Sequence, residues 1–216
     1  MRKHDFKDGL GPVPAHKHSN GEGWVADTAT VSDTAYIGPN AQVFGDAQVS
    51  ENARVYGTAK VSGNAQVFGT AQVYRTAKVS GNAHISGTAW VYGNAQVSGT
   101  AWVYGNAQVS GTALVFGDAQ VYGDARVYDD AQVFGDALVY GNALVWGNAL
   151  VYGNAQVWGN ALVYGTAKVY VPINFDCDFD PWTIMQDILN KKDDLPTLLG
   201  IHPNLDKIIH NLLQKD

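Results

Sequence analysis

The sequence contains a single cysteine, Cys177, so no disulfide can form within the chain. It has no apolar run long enough to span a membrane, and its N-terminus lacks the apolar core of a signal peptide. Basic residues are scarce, since 14 Lys and Arg stand against 20 Asp and Glu, and they form no stripe. We therefore expect neither a nucleic-acid nor a membrane partner. A cytoplasmic location is expected, although a virion protein would have the same composition.

What the sequence has in abundance is one six-residue unit, which repeats without interruption from Val25 to Val169. Val or Ile stands at position 25 and at every sixth residue after it, giving 25 such positions. The unit reads Ala, variable, Val, variable, Gly, and then Asn, Asp or Thr. Ala and Val lie two residues apart and therefore point to the same side of an extended chain. Gly followed by a short polar residue is typical of a turn, so each hexad predicts a very short strand and a corner.

Such a short strand can bury its apolar side only if coils stack on one another. Three hexads that close a triangle make a coil of 18 residues, and the repeat then predicts about eight coils and a prism ~40 Å tall. We predict an all-β solenoid over residues 25–170. Residues 1–24 are predicted to form an irregular N-terminal segment. Residues 171–216 are predicted to form a linker and small helices that cap the solenoid or join subunits.

The stretch from Tyr36 to Val43, which reads YIGPNAQV, resembles the signature of the hexapeptide-repeat proteins. The resemblance covers residues 25–170 and implies a left-handed parallel β-helix. It is nearest to the A-x-V-x-G-[N/D/T] proteins of bacterial and phage genomes. One departure is that Gly stands two places after the aliphatic residue in most copies here, and one place after Ile37. The resemblance also implies a homotrimer and, in many members, an acyltransferase activity with a catalytic His between subunits.

The outward surface changes after Val115, because every residue that follows the aliphatic position is then aromatic and the residue before it is often Leu. Residues 18 apart should stack in one column. One predicted face carries Tyr128, Trp146, Tyr164, Leu144 and Leu162. A second carries Tyr122, Tyr140, Trp158 and Leu138, and the third carries Phe116, Phe134, Tyr152, Leu114 and Leu150. A large exposed apolar surface marks a contact site, whereas aromatic columns can also serve only to stabilise neighbouring coils.

Candidate metal ligands are few, and we expect no metal or other cofactor. His16 and His18 could hold a metal from one side of an extended segment, but zinc favours four ligands and no others are evident. Asp118 and Asp136 share one corner line and could hold calcium. A solvated tail and an acidic surface band are the simpler interpretations of these two pairs.

His84 is the one His in the repeat and hence the one candidate for a general base. No loop interrupts the hexads to shape an active site, and no carboxylate near His84 in the sequence would orient its ring. The sequence therefore favours a non-enzymatic protein that self-associates and binds a protein, or a small nucleotide-like molecule between subunits, as a phage or bacterial inhibitor would. An acyltransferase that uses His84, and a passive spacer or virion fibre segment, are the alternatives.

Overall fold

A computed structural model describes residues 2–170, and within this range the chain forms a parallel β-solenoid from β3 (Trp24–Ala26) onward. Each hexad contributes one short strand, and successive strands belong to three sheets in rotation. The register between neighbouring strands is 18 residues, so that Gln66 pairs with Gln48 on one side and with His84 on the other. The predicted solenoid of about eight coils is thus confirmed. No helix in the described part of the chain has the length and apolarity that crossing a bilayer demands.

The three sheets are the three sides of the prism. The first has 11 strands, in spatial order β1 (Lys3–His4), β2 (Val13–Lys17), β3 (Trp24–Ala26), β6 (Gln42–Val43), β9 (Lys60–Val61), β12 (Lys78–Val79), β15 (Gln96–Val97), β18 (Leu114–Val115), β21 (Gln132–Val133), β24 (Leu150–Val151) and β27 (Lys168–Val169). The second has 8 strands: β4 (Thr30–Val31), β7 (Gln48–Val49), β10 (Gln66–Val67), β13 (His84–Ile85), β16 (Trp102–Val103), β19 (Gln120–Val121), β22 (Leu138–Val139) and β25 (Gln156–Val157). The third also has 8: β5 (Tyr36–Ile37), β8 (Arg54–Val55), β11 (Gln72–Val73), β14 (Trp90–Val91), β17 (Gln108–Val109), β20 (Arg126–Val127), β23 (Leu144–Val145) and β26 (Leu162–Val163).

The core of the prism consists of the Ala and the Val or Ile of each hexad. These side chains point inward and have almost no exposed surface, as Ala59 and Val61 illustrate with 0% each. Burial of one Val contributes about 1.5–3 kcal/mol, and stacking of identical residues lets every coil repeat the same contact. The two partial exceptions are Ala29 and Val31 in the first coil, which are only partly buried.

The corners depend on glycine for two reasons. Gly63 has a φ of 65°. Residues other than Gly, Asn and Asp adopt this backbone angle only at an energetic cost. A Cβ atom on Gly63 would also lie 3.0 Å from the backbone N and O of Gly81 in the next coil. Three corners of the repeat nevertheless hold another residue at positive φ, namely Glu51, Arg75 and Asp129.

Polar side chains at the corners form hydrogen bonds between neighbouring coils. Asn64 Nδ2 donates to Asn82 Oδ1 at 3.0 Å, and Asn142 Nδ2 donates to Asn160 Oδ1 at 3.2 Å, as the 18-residue spacing predicts. Thr76 takes the same position elsewhere, and its hydroxyl donates to the carbonyl of Gly93 at 2.7 Å. Short polar residues therefore hold adjacent corners together.

The first coil is covered by the N-terminal residues, which contain strands in place of the irregular segment that the sequence predicts. β1 and β2 form an antiparallel hairpin, and β2 pairs with β3 and so extends the first sheet. Phe6 is fully buried and stacks on Phe44 with the ring centroids 4.9 Å apart. These residues form strands because the hairpin covers the open edge of β3 and buries an aromatic ring. The predicted C-terminal helices and Cys177 lie outside the described residues.

Candidate interaction surface

Each hexad of the repeat places two side chains outward, one before and one after the buried Val. Because the register is 18 residues, these side chains line up in two columns on each side of the prism. We call these sides the first, second and third face, after the sheet that forms each. The residue identities in the columns therefore decide what each face can bind.

The columns that follow the Val are stacked aromatic rings over the C-terminal coils. On the second face Tyr104, Tyr122, Tyr140 and Trp158 stack in order, with centroids 4.8, 4.9 and 6.1 Å apart. On the third face Trp146 lies 5.7 Å from Tyr128 and 4.9 Å from Tyr164. The first face carries Phe116, Phe134, Tyr152 and Tyr170 at spacings of 4.9, 5.2 and 5.8 Å. The three predicted aromatic columns are thus confirmed.

Stacking leaves these rings partly buried. Every aromatic and Leu residue that faces outward between positions 128 and 164 is of intermediate exposure. Over this stretch none of the three faces carries a charged side chain. We call this region the aromatic belt. Its outward residues are Tyr128, Gln132, Phe134, Leu138, Tyr140, Leu144, Trp146, Leu150, Tyr152, Gln156, Trp158, Leu162 and Tyr164.

Three phenol groups of the columns have a raised pKa. Burial raises the pKa of Tyr122, and the neighbouring phenols of Tyr104 and Tyr140 raise it further. Burial likewise raises the pKa of Tyr104 and of Tyr128. Neutral phenols present hydroxyl groups that can donate as well as accept. Tyr104 donates such a hydrogen bond within its own face, from its hydroxyl to Gln120 Oε1 at 3.4 Å.

Outside the aromatic belt, the three faces differ in the charged residues that they carry. The third face carries Arg54 and Arg126, and the first face carries Lys60, Lys78 and Lys168. The second face carries no Lys, Arg, Asp or Glu at any outward position from Thr30 to Trp158. The acidic residues of the repeat stand in the corners, and those beside the second face are Asp27, Asp33, Asp46, Glu51, Asp118, Asp124 and Asp136. The second face is therefore an uncharged strip with an acidic rim.

Among residues 2–170, Trp90 and Trp102 are the exposed large apolar residues of the repeat, and His84 packs on one of them. Trp90 is 40% exposed on the third face and Trp102 is 47% exposed on the second. The imidazole of His84 stacks on Trp102 with the ring centroids 4.7 Å apart. Within residues 2–170 no carboxylate forms a hydrogen bond or ion pair with His84. The ring thus packs on an aromatic neighbour, and no carboxylate of the described residues orients it in the way that a general base requires.

The candidate metal ligands do not converge. His16 Nδ1 lies 2.9 Å from Asp27 Oδ1 at the surface, whereas His18 is buried and its Nε2 donates to the carbonyl of Ala35 at 3.0 Å. Asp118 and Asp136 share a corner line and are both exposed, and the hydroxyl of Thr100 donates to Asp118. No group of three or more His, Cys, Asp or Glu that could hold a metal occurs among the residues that the structure describes.

Comparison with known proteins supports the repeat architecture. Residues 119–133 and 131–145, which include the first coil of the aromatic belt, match the family model of the YdcK beta solenoid repeat. None of the curated proteins matches the sequence. The chain is therefore a β-solenoid repeat protein that is similar to the YdcK repeat in this stretch. The finer resemblance to the hexapeptide-repeat proteins stays a prediction.

Sequence reasoning located the aromatic columns but missed which face is uncharged. The signal was present, because sorting Lys and Arg by their position in the 18-residue coil places all of those outside the corners on the first and third faces. The sequence analysis also did not predict that Trp102 and Tyr104 extend the aromatic surface of the second face toward the N-terminus. The column of Tyr56, Tyr74 and Tyr92 on the third face, stacked at 4.9 and 5.0 Å, was missed as well.

Proposed function

We propose that this protein is a non-enzymatic assembly and binding protein that acts through the faces of its C-terminal coils. The observation that carries the proposal is the aromatic belt, in which no outward residue is charged on any face. Soluble proteins rarely expose contiguous apolar surface beyond a few hundred Å² unless it makes a contact. Stacked rings alone would stabilise neighbouring coils. The outward Leu residues, such as Leu144 paired with Leu162, are explained better by a partner that covers them.

The composition of the belt favours a protein surface as the main partner. Protein interfaces are depleted of charged residues at their centre and enriched in Tyr, Trp and Phe, which is the composition found here. A nucleotide-like ligand would need a cation near its phosphates, and the belt has none between Arg126 and Lys168. Self-association is the simplest form of such a contact, and a groove between subunits could then hold a small neutral molecule.

Native mass spectrometry of the full chain tests the proposal. We expect a mass that is a multiple of 23.2 kDa, with additional mass if a ligand is retained from the expression host. A single chain without additional mass at every concentration would contradict self-association.

Matched substitutions separate binding from catalysis. Trp158→Ser removes a ring from the belt and should weaken the assembly, and under this proposal the wild type binds no acyl-CoA that His84→Ala could abolish. The acyltransferase alternative predicts the opposite pattern, in which acyl-CoA binding is lost on His84→Ala. Isothermal titration with acetyl-CoA measures that binding directly.

A further inference from the structure

We propose that the second face is the surface through which this chain contacts a second copy of itself, in a side-by-side dimer with two-fold symmetry. This inference rests on the proposed self-association and names the face and the symmetry that produce it. It differs from the trimer that the sequence resemblance implies.

The charge distribution selects the second face. A two-fold interface is isologous, so each patch meets its own copy and any net charge on the patch meets the same charge. The third face would oppose Arg54 and Arg126 to their copies, and the first face would oppose three lysines. Like charges that face one another across an interface cost several kcal/mol. Within the described residues, only the second face avoids this cost along its whole length.

The area of the face approaches that of a standard dimer interface. Eight strands at a spacing of about 4.8 Å give a length of ~38 Å. Four to five extended residues per side give a width of ~15 Å. Side chains that project from this plane raise its accessible area toward the ~800 Å² per partner of a standard interface.

The side chains of the second face also fit the centre of an interface. Trp102 and the column from Tyr104 to Trp158 provide aromatic anchors of the kind that dominate binding energy. Beside them, Gln120 and Gln156 supply amide groups that can donate to and accept from the copy. The acidic corner residues then lie at the rim, where water screens them.

Three glutamines offer a matched experiment. Gln108, Gln120 and Gln132 occupy the same position in alternate hexads, and each is of intermediate exposure. They lie on the third, second and first face respectively. Each is changed singly to Lys in the full chain. Lys already occupies this hexad position at residues 60, 78 and 168, so the fold accommodates it. Circular dichroism and thermal unfolding verify that all three variants are folded.

Sedimentation equilibrium of the wild type and the three variants gives the outcome. We expect Gln120→Lys to raise the dimer dissociation constant by about tenfold or more, because the two-fold axis brings two new charges into one uncharged interface. Gln108→Lys and Gln132→Lys should leave it within about twofold, since both lie on faces outside that interface.

Other results overturn the inference in distinguishable ways. A loss of association in Gln120→Lys together with Gln108→Lys or Gln132→Lys indicates a contact between two different faces and refutes the two-fold symmetry. An associating protein that is insensitive to Gln120→Lys refutes the second face while leaving the proposed function standing. A wild type that is monomeric at every concentration refutes both.

Discussion

At the residue scale, the corners carry the strictest requirement of the repeat. Most corners hold a Gly at positive φ. This Gly lies close to the backbone of the next coil, as Gly63 lies close to Gly81, and leaves little room for a Cβ atom. Glu51, Arg75 and Asp129 meet the same φ with a side chain present, at 58°, 62° and 58°. A side chain in the left-handed region costs about 1–2 kcal/mol relative to Gly. These three positions are therefore weak points of an otherwise regular structure.

Arg75→Gly is expected to increase the free energy of unfolding by about 1 kcal/mol, since it removes this strain at a corner where no described contact holds the Arg side chain. The converse change, Gly63→Ala, should lower it, because the Cβ would lie 3.0 Å from two backbone atoms of Gly81. Urea unfolding of both variants measures the difference. A less stable Arg75→Gly would show that the arginine makes a stabilising contact.

At the element scale, the N-terminal hairpin and the aromatic columns are the two structures added to the bare repeat. The hairpin closes the first sheet and is tied to the solenoid by Lys60, whose Nζ donates to the carbonyl of Phe6 at 2.7 Å. Within the hairpin region burial lowers the pKa of His4, and the charge of Lys17 adds to the effect. The neutral ring stacks on Trp24 with the centroids 4.3 Å apart. The hairpin is thus an integral part of the fold.

Phe6→Ala should release the hairpin, because truncation of a buried Phe costs about 3–5 kcal/mol and Phe6 has 0% exposure. Leu10→Ala is the matched control, since Leu10 lies near the hairpin turn and is 81% exposed. Hydrogen exchange of the amides of β2 and β3 reports the loss. Unchanged protection in Phe6→Ala would contradict the role of the hairpin as a cap.

The tyrosine columns should make the protein sensitive to alkali. The folded state raises the pKa of Tyr122 above its ordinary value of 10.0, so the folded protein binds a proton more tightly than the unfolded chain does. The resulting stability is fully present below that value and is lost as the pH rises through the folded pKa. Tyr122→Phe should therefore lose less stability than the wild type between pH 9 and pH 11, which are chosen to bracket about 10.

The control for this titration is Phe134→Leu, which alters a stacked column on the first face without removing an ionisable group. It should retain the pH profile of the wild type even if it lowers stability at every pH. Thermal unfolding midpoints across the pH range provide the comparison. Identical profiles for Tyr122→Phe and the wild type would show that this phenol does not couple to folding.

At the scale of the whole molecule, the repeat made the solenoid predictable from the sequence. Ala and Val two residues apart, with Gly at a fixed offset, specify both the inward side and the 18-residue register that places Tyr122 beside Tyr140. The hairpin could not be predicted in this way, because Phe6 lies outside the repeat and only its contact with Phe44 explains its burial. The uncharged second face was hidden for a different reason, namely that it appears only when charges are sorted by face.

The same charge pattern predicts how the proposed dimer responds to salt. The centre of the second face is uncharged, and the described corner residues beside it, such as Asp118 and Asp124, are acidic. In a two-fold dimer these rims repel one another, and salt screens that repulsion. We expect the dimer dissociation constant to fall as salt rises from about 0.05 M to about 0.5 M. A rise would indicate attraction between opposite charges, which an isologous contact through this face lacks.

Small-angle X-ray scattering of the full chain, compared with Gln120→Lys, tests the central claim most directly because it reports mass and shape together. The account predicts that the wild type has twice the mass of one 23.2 kDa chain and a wider cross-section than the variant, at an unchanged length. That result would show two prisms side by side. A wild type with the mass and cross-section of a single prism, or a particle of doubled length, would contradict an assembly protein that acts through its faces.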